Sequence, residues 1–201
     1  MKIILVTNNT YKIKEIKTIL SSYSNQIFSY QDIIKQPLTI VEDGDSFKSN
    51  AVKKIMALPQ ISQTQNAIIL SDDSGLEVES LNNRPGIHSA RYGGENLSDM
   101  QRCQLLLNEL KDKASRKAQL ICVIALKRPN QPIITVSGKI SGHITQTLSG
   151  NSGFGYDPIF IPTHYSQTLA ELGYKVKNKI SHRTKALKKA TAIIKALSRN
   201  A

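Results

Sequence analysis

The feature that most restricts the fold is an apolar run that leads directly into two adjacent carboxylates. Residues 67–70 are four consecutive apolar residues, a pattern typical of a buried strand. Asp72 and Asp73 follow, and residues 76–79 then alternate between apolar and acidic, as in a half-exposed strand. The pattern predicts an α/β chain in which both carboxylates lie where the first of these strands ends.

Neighbouring residues on extended backbone point to opposite faces, so Asp72 and Asp73 are expected to have different roles. One carboxylate can face a cleft and hold a metal or a water, while the other turns back onto backbone N–H groups. Gly75 would allow a sharp bend or the close approach of a ligand. Ordinary turn chemistry is the alternative interpretation, because Asp, Ser and Gly are common turn residues.

The composition predicts a globular protein with a single domain over residues 1–201. The chain is 40% hydrophobic and 21% charged, and no apolar run approaches the roughly 20 residues of a membrane span. Its two cysteines lie in unrelated contexts and match neither a zinc-site nor a disulfide pattern. A cytoplasmic location is therefore expected.

The net charge of +12 is compatible with two kinds of partner. A basic surface suits a polyanionic small molecule such as a nucleotide, and it also raises the hypothesis of nucleic-acid binding. The basic residues are dispersed along the chain, which argues against the second hypothesis. A steep salt dependence of DNA or RNA binding, without triphosphate turnover, would favour it.

Two early segments carry candidate ligand-binding groups. A strand over residues 2–6 leads through a polar loop to a helix that begins near Lys12, and a helix N-terminus favours phosphate. An acidic connection over residues 40–45 precedes a helix whose Phe47, Ala51 and Ile55 share one face. The alternatives are an ordinary strand–helix loop and acidic residues that merely suit a helix start.

Two later segments have the same ambiguity. Residues 149–158 are rich in glycine and carry Phe154 and Tyr156, whose rings either pack in a hairpin loop or stack on a nucleobase. Ser181 is a candidate N-cap of the last helix, which places two basic residues at a helix N-terminus. Cations there oppose the helix macrodipole and therefore indicate an anion or a polar ligand.

Five short motifs follow one another along the chain. They are Thr-Asn-Asn-Thr-Tyr-Lys at 7–12, Ser-Asp-Asp-Ser-Gly-Leu at 71–76, Pro-Gly-Ile-His-Ser-Ala-Arg-Tyr at 85–92, Gly-Phe-Gly-Tyr-Asp-Pro at 153–158 and Ser-His-Arg at 181–183. Together they resemble the Ham1/inosine triphosphatase family of nucleoside triphosphate pyrophosphatases, and the likeness extends from Lys2 to the last helix.

The resemblance implies a two-lobed α/β fold with a long mixed β-sheet flanked by helices and an active-site cleft between the lobes. It implies a homodimer and a Mg²⁺-dependent hydrolysis of the purine nucleoside triphosphates ITP, dITP and XTP to the monophosphate and pyrophosphate, which cleans the nucleotide pool. A related pyrophosphatase acting on modified pyrimidine triphosphates is the alternative activity.

The resemblance also assigns roles to individual residues. Asp73 corresponds to the catalytic carboxylate that also binds metal, and a second metal carboxylate belongs near Glu42. The implied substrate contacts are Thr7, Asn8, Asn9, Thr10, Tyr11, Lys12, Ser74, Phe154, Gly155, Tyr156, Asp157, Lys177, His182 and Arg183.

The chain departs from the family pattern at two positions. Ser49 stands where many members have Glu, which bears on the metal shell, and Asn8 stands where many have Gly. Asp43 and Asp45 are the next candidates for the second metal ligand. The chemistry still agrees with the residues, because Mg²⁺ and lysines neutralise a triphosphate while a carboxylate activates water.

Overall fold

The computed structural model describes residues 2–34 and 38–199, the last three by backbone alone. Within these ranges lie seven strands and five α-helices. The strands are β1 (Lys2–Val6), β2 (Ile27–Ser29), β3 (Ala67–Val78), β4 (Arg84–Pro85), β5 (Lys117–Lys127), β6 (Ile134–Ile144) and β7 (Phe160–Pro162). The helices are α1 (Thr10–Leu20), α2 (Phe47–Met56), α3 (Asp99–Glu109), α4 (Leu169–Ile180) and α5 (His182–Arg199). None of the helices in the described ranges is both long and apolar enough to cross a membrane.

The strands form one mixed sheet in the order β2-β1-β3-β5-β6-β7, with β4 paired to β3. Strand β1 is parallel to both β2 and β3, whereas β7 is antiparallel to β6. The parallel register places Val6 opposite Ser71. The loop after β1 therefore starts beside the carboxylate pair. The expected α/β class and the mixed sheet flanked by helices are confirmed.

The chain divides into two compact units. The first unit comprises residues 1–73, 122–138 and 183–201. Alternate residues of β1 enter two different hydrophobic clusters, because successive strand side chains point to opposite faces. Ile3 and Leu5 pack with residues of α1 and α5, whereas Ile4 and Val6 pack with residues of α2.

The second unit comprises residues 74–121 and 139–182. Its core is a single cluster that combines side chains of β3, β5 and β6 with leucines of α3 and α4. Leu106 and Leu110 come from the α3 region, and Leu169 is the first residue of α4.

The predicted strand end before the carboxylates is wrong, and the strand also continues through Gly75. Strand β3 runs without interruption from Ala67 to Val78 and carries Asp72 and Asp73 in its middle. Ladder partners explain the difference, since β1 pairs with the first half of β3 and β4 pairs with its last residues. A supplied partner strand outweighs the local turn preference of Asp, Ser and Gly.

Most other predicted elements are confirmed, with shifted ends. The helix expected near Lys12 begins at Thr10, and the last helix begins at His182, directly after Ser181. Residues 86–91, which lie in the third of the five motifs, form a short 3-10 helix. Helix α4 was not predicted, although Thr168 and Glu171 form a capping box at its start.

Candidate active site

Asp72 and Asp73 are both buried, with 0% and 5% of their surfaces exposed. They are adjacent on β3, so their side chains leave opposite faces of the strand. Each carboxylate has its own set of partners in the first unit. The two residues therefore differ in environment, and that they have different roles stays a prediction.

Asp72 is surrounded by positive charge. Its Oδ2 lies 3.1 Å from Nζ of Lys12 and 3.3 Å from Nη2 of Arg183. Burial by itself would raise the pKa of this carboxyl, but Lys12, Arg183 and Lys54 outweigh it and hold the pKa of Asp72 well below its usual value. Asp72 therefore remains ionised and serves as the counter-charge of two cations.

Asp73 contacts one neutral amide and one ammonium group. Nδ2 of Asn50 donates to its Oδ2 at 3.2 Å, and Nζ of Lys54 lies 3.2 Å from its Oδ1. Burial is the largest influence and raises the pKa of Asp73; Lys54 and Lys12 act against it, but the net direction is upward. Of the two carboxylates, Asp73 is the one suited to accept a proton.

Lys54 is a buried ammonium group that sequence reasoning missed. Its Nζ donates to the Asp72 carbonyl oxygen at 2.9 Å and lies 3.0 Å from Oε2 of Glu42, in addition to its contact with Asp73. Burial disfavours its charge, but Asp73, Asp72 and Glu42 together outweigh this and raise the pKa of Lys54. Lys54 therefore remains a cation within the site.

A signal for Lys54 and for Asn50 was present in the pattern of α2. Phe47, Ala51 and Ile55 are buried on one face of this helix, and Asn50 and Lys54 lie on the same face. A polar side chain in a core-facing position is costly unless it is paired. Its presence there therefore predicts a buried polar contact.

The donor set around Lys54 is compatible with a divalent cation. Glu42 and Asp73 already converge on one positive group, and carboxylate oxygens are the ligands that Mg²⁺ prefers. In the described ranges, no group of three or more His, Cys, Asp and Glu side chains could hold a metal. Mg²⁺ sites in enzymes commonly use one or two carboxylates, and substrate phosphates complete the coordination.

The candidate alternatives to Glu42 are engaged elsewhere. Oδ1 of Asp43 lies 2.6 Å from Nζ of Lys53 on the exposed side of α2, and Oδ1 of Asp45 accepts from the Ser46 hydroxyl at 3.2 Å. The backbone N–H of Ser49 donates to Oγ of Ser46, which is the N-cap of α2.

The loop between β1 and α1 presents a capped helix N-terminus. Oδ1 of Asn9 accepts from the Lys12 N–H at 3.0 Å, Oγ1 of Thr7 accepts from the Asn9 N–H at 3.2 Å, and the Tyr30 hydroxyl donates to Asn8. The buried Thr7 thus holds a loop whose remaining residues are open to solvent. Those exposed residues are Asn8, Asn9, Thr10 and Tyr11.

In the second unit, Asp157 organises the glycine-rich loop. Its Oδ2 accepts from the Phe154 N–H at 2.9 Å and also forms an ion pair with Lys177. Nζ of Lys177 lies 4.3 Å from the centroid of the Phe154 ring, in cation–π geometry. A Cβ at Gly153 would lie 2.0 Å from Oδ2 of Asp157, so the loop requires glycine there.

The other members of this motif are used within the unit. The Tyr156 hydroxyl donates to the Ser89 carbonyl at 2.9 Å from a buried position, and the Gly155 N–H donates to Asp99 at 2.7 Å. Phe154 is only half-buried, as is Ser74 on β3. Phe154 is therefore the aromatic side chain of this loop that retains surface for stacking.

His182 and Arg183 begin α5 and are both buried. Arg183 is 1% exposed and forms ion pairs with Glu15 and Asp72. Burial disfavours its charge, but both carboxylates outweigh this effect, and the pKa of Arg183 is raised. Arg183 therefore lies in a buried charge network of the first unit.

The structure thus brings the predicted site residues together in two groups. In the first unit, Lys12, Glu42, Asp73 and Arg183 surround Asp72 and Lys54. In the second unit, Phe154, Asp157 and Lys177 form one connected cluster.

Comparison with known proteins identifies the family. The Ham1 family model matches residues 3–193, which is nearly the whole chain. The chain belongs to the Ham1 family. The family resemblance inferred from five short motifs is therefore confirmed.

Relatives within the Ham1 family are similar over almost their full lengths. The chain is 41% identical to a dITP/XTP pyrophosphatase of Bacillus licheniformis over 195 residues, which is 96% of this chain and 97% of the relative. It is 40% identical to a dITP/XTP pyrophosphatase of Bacillus subtilis, with 96% of each chain covered.

Solved Ham1 structures share the fold. The Ham1 protein of Staphylococcus aureus is 36% identical, with a TM-score of 0.83 over 98% of this chain and 99% of that one. A HAM1 protein of Coxiella burnetii is 34% identical, with a TM-score of 0.86 over the same shares.

Proposed function

We propose that this Ham1-family chain hydrolyses the deaminated purine nucleoside triphosphates ITP, dITP and XTP to the monophosphate and pyrophosphate. Relatives about two-fifths identical over nearly their whole lengths carry the name dITP/XTP pyrophosphatase. The observation that carries the proposal is the setting of Asp73. This carboxylate is buried, its pKa is raised, and it lies beside the ammonium group of Lys54. The strand register also pairs Ser71, two residues before Asp73, with Val6, the last residue of β1 before the loop to α1.

Asp73 acts as the general base. It takes the proton of the attacking water, while Lys54 and Asn50 hold its two oxygens. Asp72 remains ionised and keeps Lys12 oriented. Lys12 and the first amides of α1, with the loop from Thr7 to Tyr11, bind the phosphates and offset the charge that develops on the leaving pyrophosphate.

Asp73 and Glu42 would hold a Mg²⁺ ion, and the chemistry that the ion would supply is polarisation of the phosphate oxygens. Lys54 balances the charge of these two carboxylates. Ser49 on α2 has no carboxylate and therefore would not add a metal ligand. We assign the second carboxylate ligand to Glu42 in the acidic connection.

The second unit recognises the base. Phe154 stacks on the purine ring, and Asp157 keeps the loop and Lys177 in place. Lys177 and His182 donate hydrogen bonds to a 6-oxo group, whereas a 6-amino group would leave these donors unpaired. Arg183 is neutralised by Glu15 and Asp72, so we assign it to the support of Asp72.

The working form is a cytoplasmic homodimer. The two cysteines are buried free thiols, in agreement with a reducing compartment. The dimer rests on the motif resemblance, and the molar mass measured by light scattering tests it.

The decisive experiment measures pyrophosphate release from ITP, dITP, XTP, GTP, ATP and modified pyrimidine triphosphates, with and without Mg²⁺. We expect kcat/KM for ITP and XTP to exceed that for ATP by about 100-fold or more, because the mismatched amino group leaves buried polar groups unpaired. Equal efficiency on ATP and ITP would reject the 6-oxo selection. A preference for modified pyrimidines would assign the alternative activity.

A further inference from the structure

Asn50 on α2 has a fully buried side-chain amide whose oxygen and nitrogen both form hydrogen bonds. Its Nδ2 donates to Oδ2 of Asp73 at 3.2 Å, and its Oδ1 accepts from the backbone N–H of Gly44 at 2.8 Å. The side chain is 0% exposed. A single amide therefore joins the carboxylate on β3 to the acidic connection that precedes α2.

Lys54 makes a parallel pair of contacts one helical turn later. Positions four apart lie on the same face of a helix, and Lys54 contacts the other oxygen of Asp73 together with Glu42. Helix α2 thus contacts each oxygen of Asp73 once. It also contacts the acidic connection at two points, Glu42 and Gly44.

The close approach at Gly44 depends on the absence of a side chain. A Cβ added there would lie 2.6 Å from Oδ1 of Asn50 and 2.6 Å from Oγ of Ser49. Real Cβ atoms do not approach other heavy atoms so closely, so a larger residue would displace the segment from Asn50. The packing around this amide is therefore built for a short backbone contact.

We propose that Asn50 is a positioning residue for the general base. It fixes the rotamer of Asp73 and its spacing from the segment that carries Glu42. The inference rests on the proposed function, in which Asp73 activates the water. A neutral amide suits this role, because it orients the carboxylate through a hydrogen bond without adding the positive charge that would weaken a base.

The experiment compares Asn50→Asp, Asn50→Ala and the control Ser71→Ala. Asn50→Asp keeps the size and the acceptor for Gly44 but loses the donor to Asp73, while Asn50→Ala loses both. Ser71→Ala removes another buried hydrogen bond between β3 and α2, from Oγ to the Ala51 carbonyl at 2.5 Å, without contacting the Asp73 carboxylate. Each variant is assayed for kcat, KM and thermal unfolding, alone and combined with Asp73→Asn.

We expect both Asn50 variants to lower kcat with ITP by about 10- to 100-fold, the usual effect of a misplaced catalytic group, with KM changed less than about twofold. Ser71→Ala should lower the unfolding temperature but leave kcat unchanged. In the Asp73→Asn background, loss of Asn50 should lower kcat no further, because the group on which it acts is absent.

Three results would overturn the inference. They are a wild-type kcat in the Asn50 variants, an equal fractional loss of kcat in both backgrounds, or loss of folded protein in both variants, which would make Asn50 purely structural. The proposed function fails differently, since it requires Asp73→Asn alone to lose turnover. Wild-type turnover in that single variant would reject the base itself.

Discussion

At the scale of single residues, Asp72 and Asp73 show how surroundings set the chemistry of identical side chains. Asp72 contacts two cations, and its pKa is lowered in spite of complete burial. Asp73 contacts one cation and one neutral amide, and burial keeps its pKa raised. The first carboxylate is therefore a fixed counter-charge, and the second can exchange a proton.

The matched variants Asp73→Asn and Asp72→Asn separate these roles. We expect Asp73→Asn to lower turnover by about two to four orders of magnitude and to keep the chain folded, because the amide can still accept from Lys54. A variant that retains more than about a tenth of wild-type turnover would show that Asp73 is not the catalytic group.

Asp72→Asn should instead reduce stability. The ionised form of Asp72 stabilises the folded chain above its unfolded pKa of about 3.9, because folding lowers the pKa. Removing this charge leaves the buried Arg183 and the half-buried Lys12 without their shared counter-charge, which costs about 3–5 kcal/mol. Urea unfolding at pH 7 measures the change, and an unfolding free energy equal to that of Asp73→Asn would contradict the assignment.

The metal ligand can be tested in the same way. Glu42→Gln keeps the size of the side chain but removes its charge, so the Mg²⁺ concentration for half-maximal activity should rise about 10-fold or more. Asp43→Asn is the control, since Asp43 pairs with Lys53 at the surface. A shift in the control and none in Glu42→Gln would transfer the ligand to Asp43.

At the scale of helices and strands, local signals predicted most of the fold. The strand expected over residues 2–6 is β1, and the helix expected near Lys12 is α1. Helix α4 was missed because its apolar pattern is interrupted at Gly173, which has a positive φ of 71° within the helix. The capping box at Thr168 was the stronger signal.

That capping box predicts a measurable contribution to stability. Oγ1 of Thr168 accepts from the Glu171 N–H at 3.1 Å and donates to the Ser149 carbonyl at 2.9 Å. Thr168→Ala should lower the free energy of unfolding by about 1–2 kcal/mol. Thr168→Ser keeps the hydroxyl and should cost far less. Equal losses in the two variants would attribute the effect to the methyl group.

At the scale of the whole molecule, sequence separation limits what a single chain reveals. Arg183 pairs with Asp72 and Glu15 across 111 and 168 positions. Nothing in the residues around Arg183 identifies these partners, so the sequence predicted a ligand contact at the start of α5. The approximate place of the loop between β1 and α1 was predictable, because strand–loop–helix patterns are local. The charge network behind it was not.

The reactivity of the two cysteines tests the folding of both compact units, because each unit contains one cysteine. Cys103 lies in the second unit and Cys122 in the first, and burial raises the pKa of each thiol to about 12. We expect neither thiol of the native chain to react with an aromatic disulfide reagent at pH 8. Both should react in urea, and rapid labelling of Cys103 in native buffer would contradict its burial.

The unbroken path of β3 has a consequence for how this chain can change over time. Strand side chains alternate with a period of two, so deleting one residue from the first half of β3 would move Asp73 into the place of Asp72 and Ser74 into the place of Asp73. Asp73 would then face Lys12 and Arg183, while a serine hydroxyl would stand beside Asn50 and Lys54. Point substitutions can accumulate along this strand, but its length between Ala67 and the carboxylates cannot drift by a single codon without loss of the proposed chemistry.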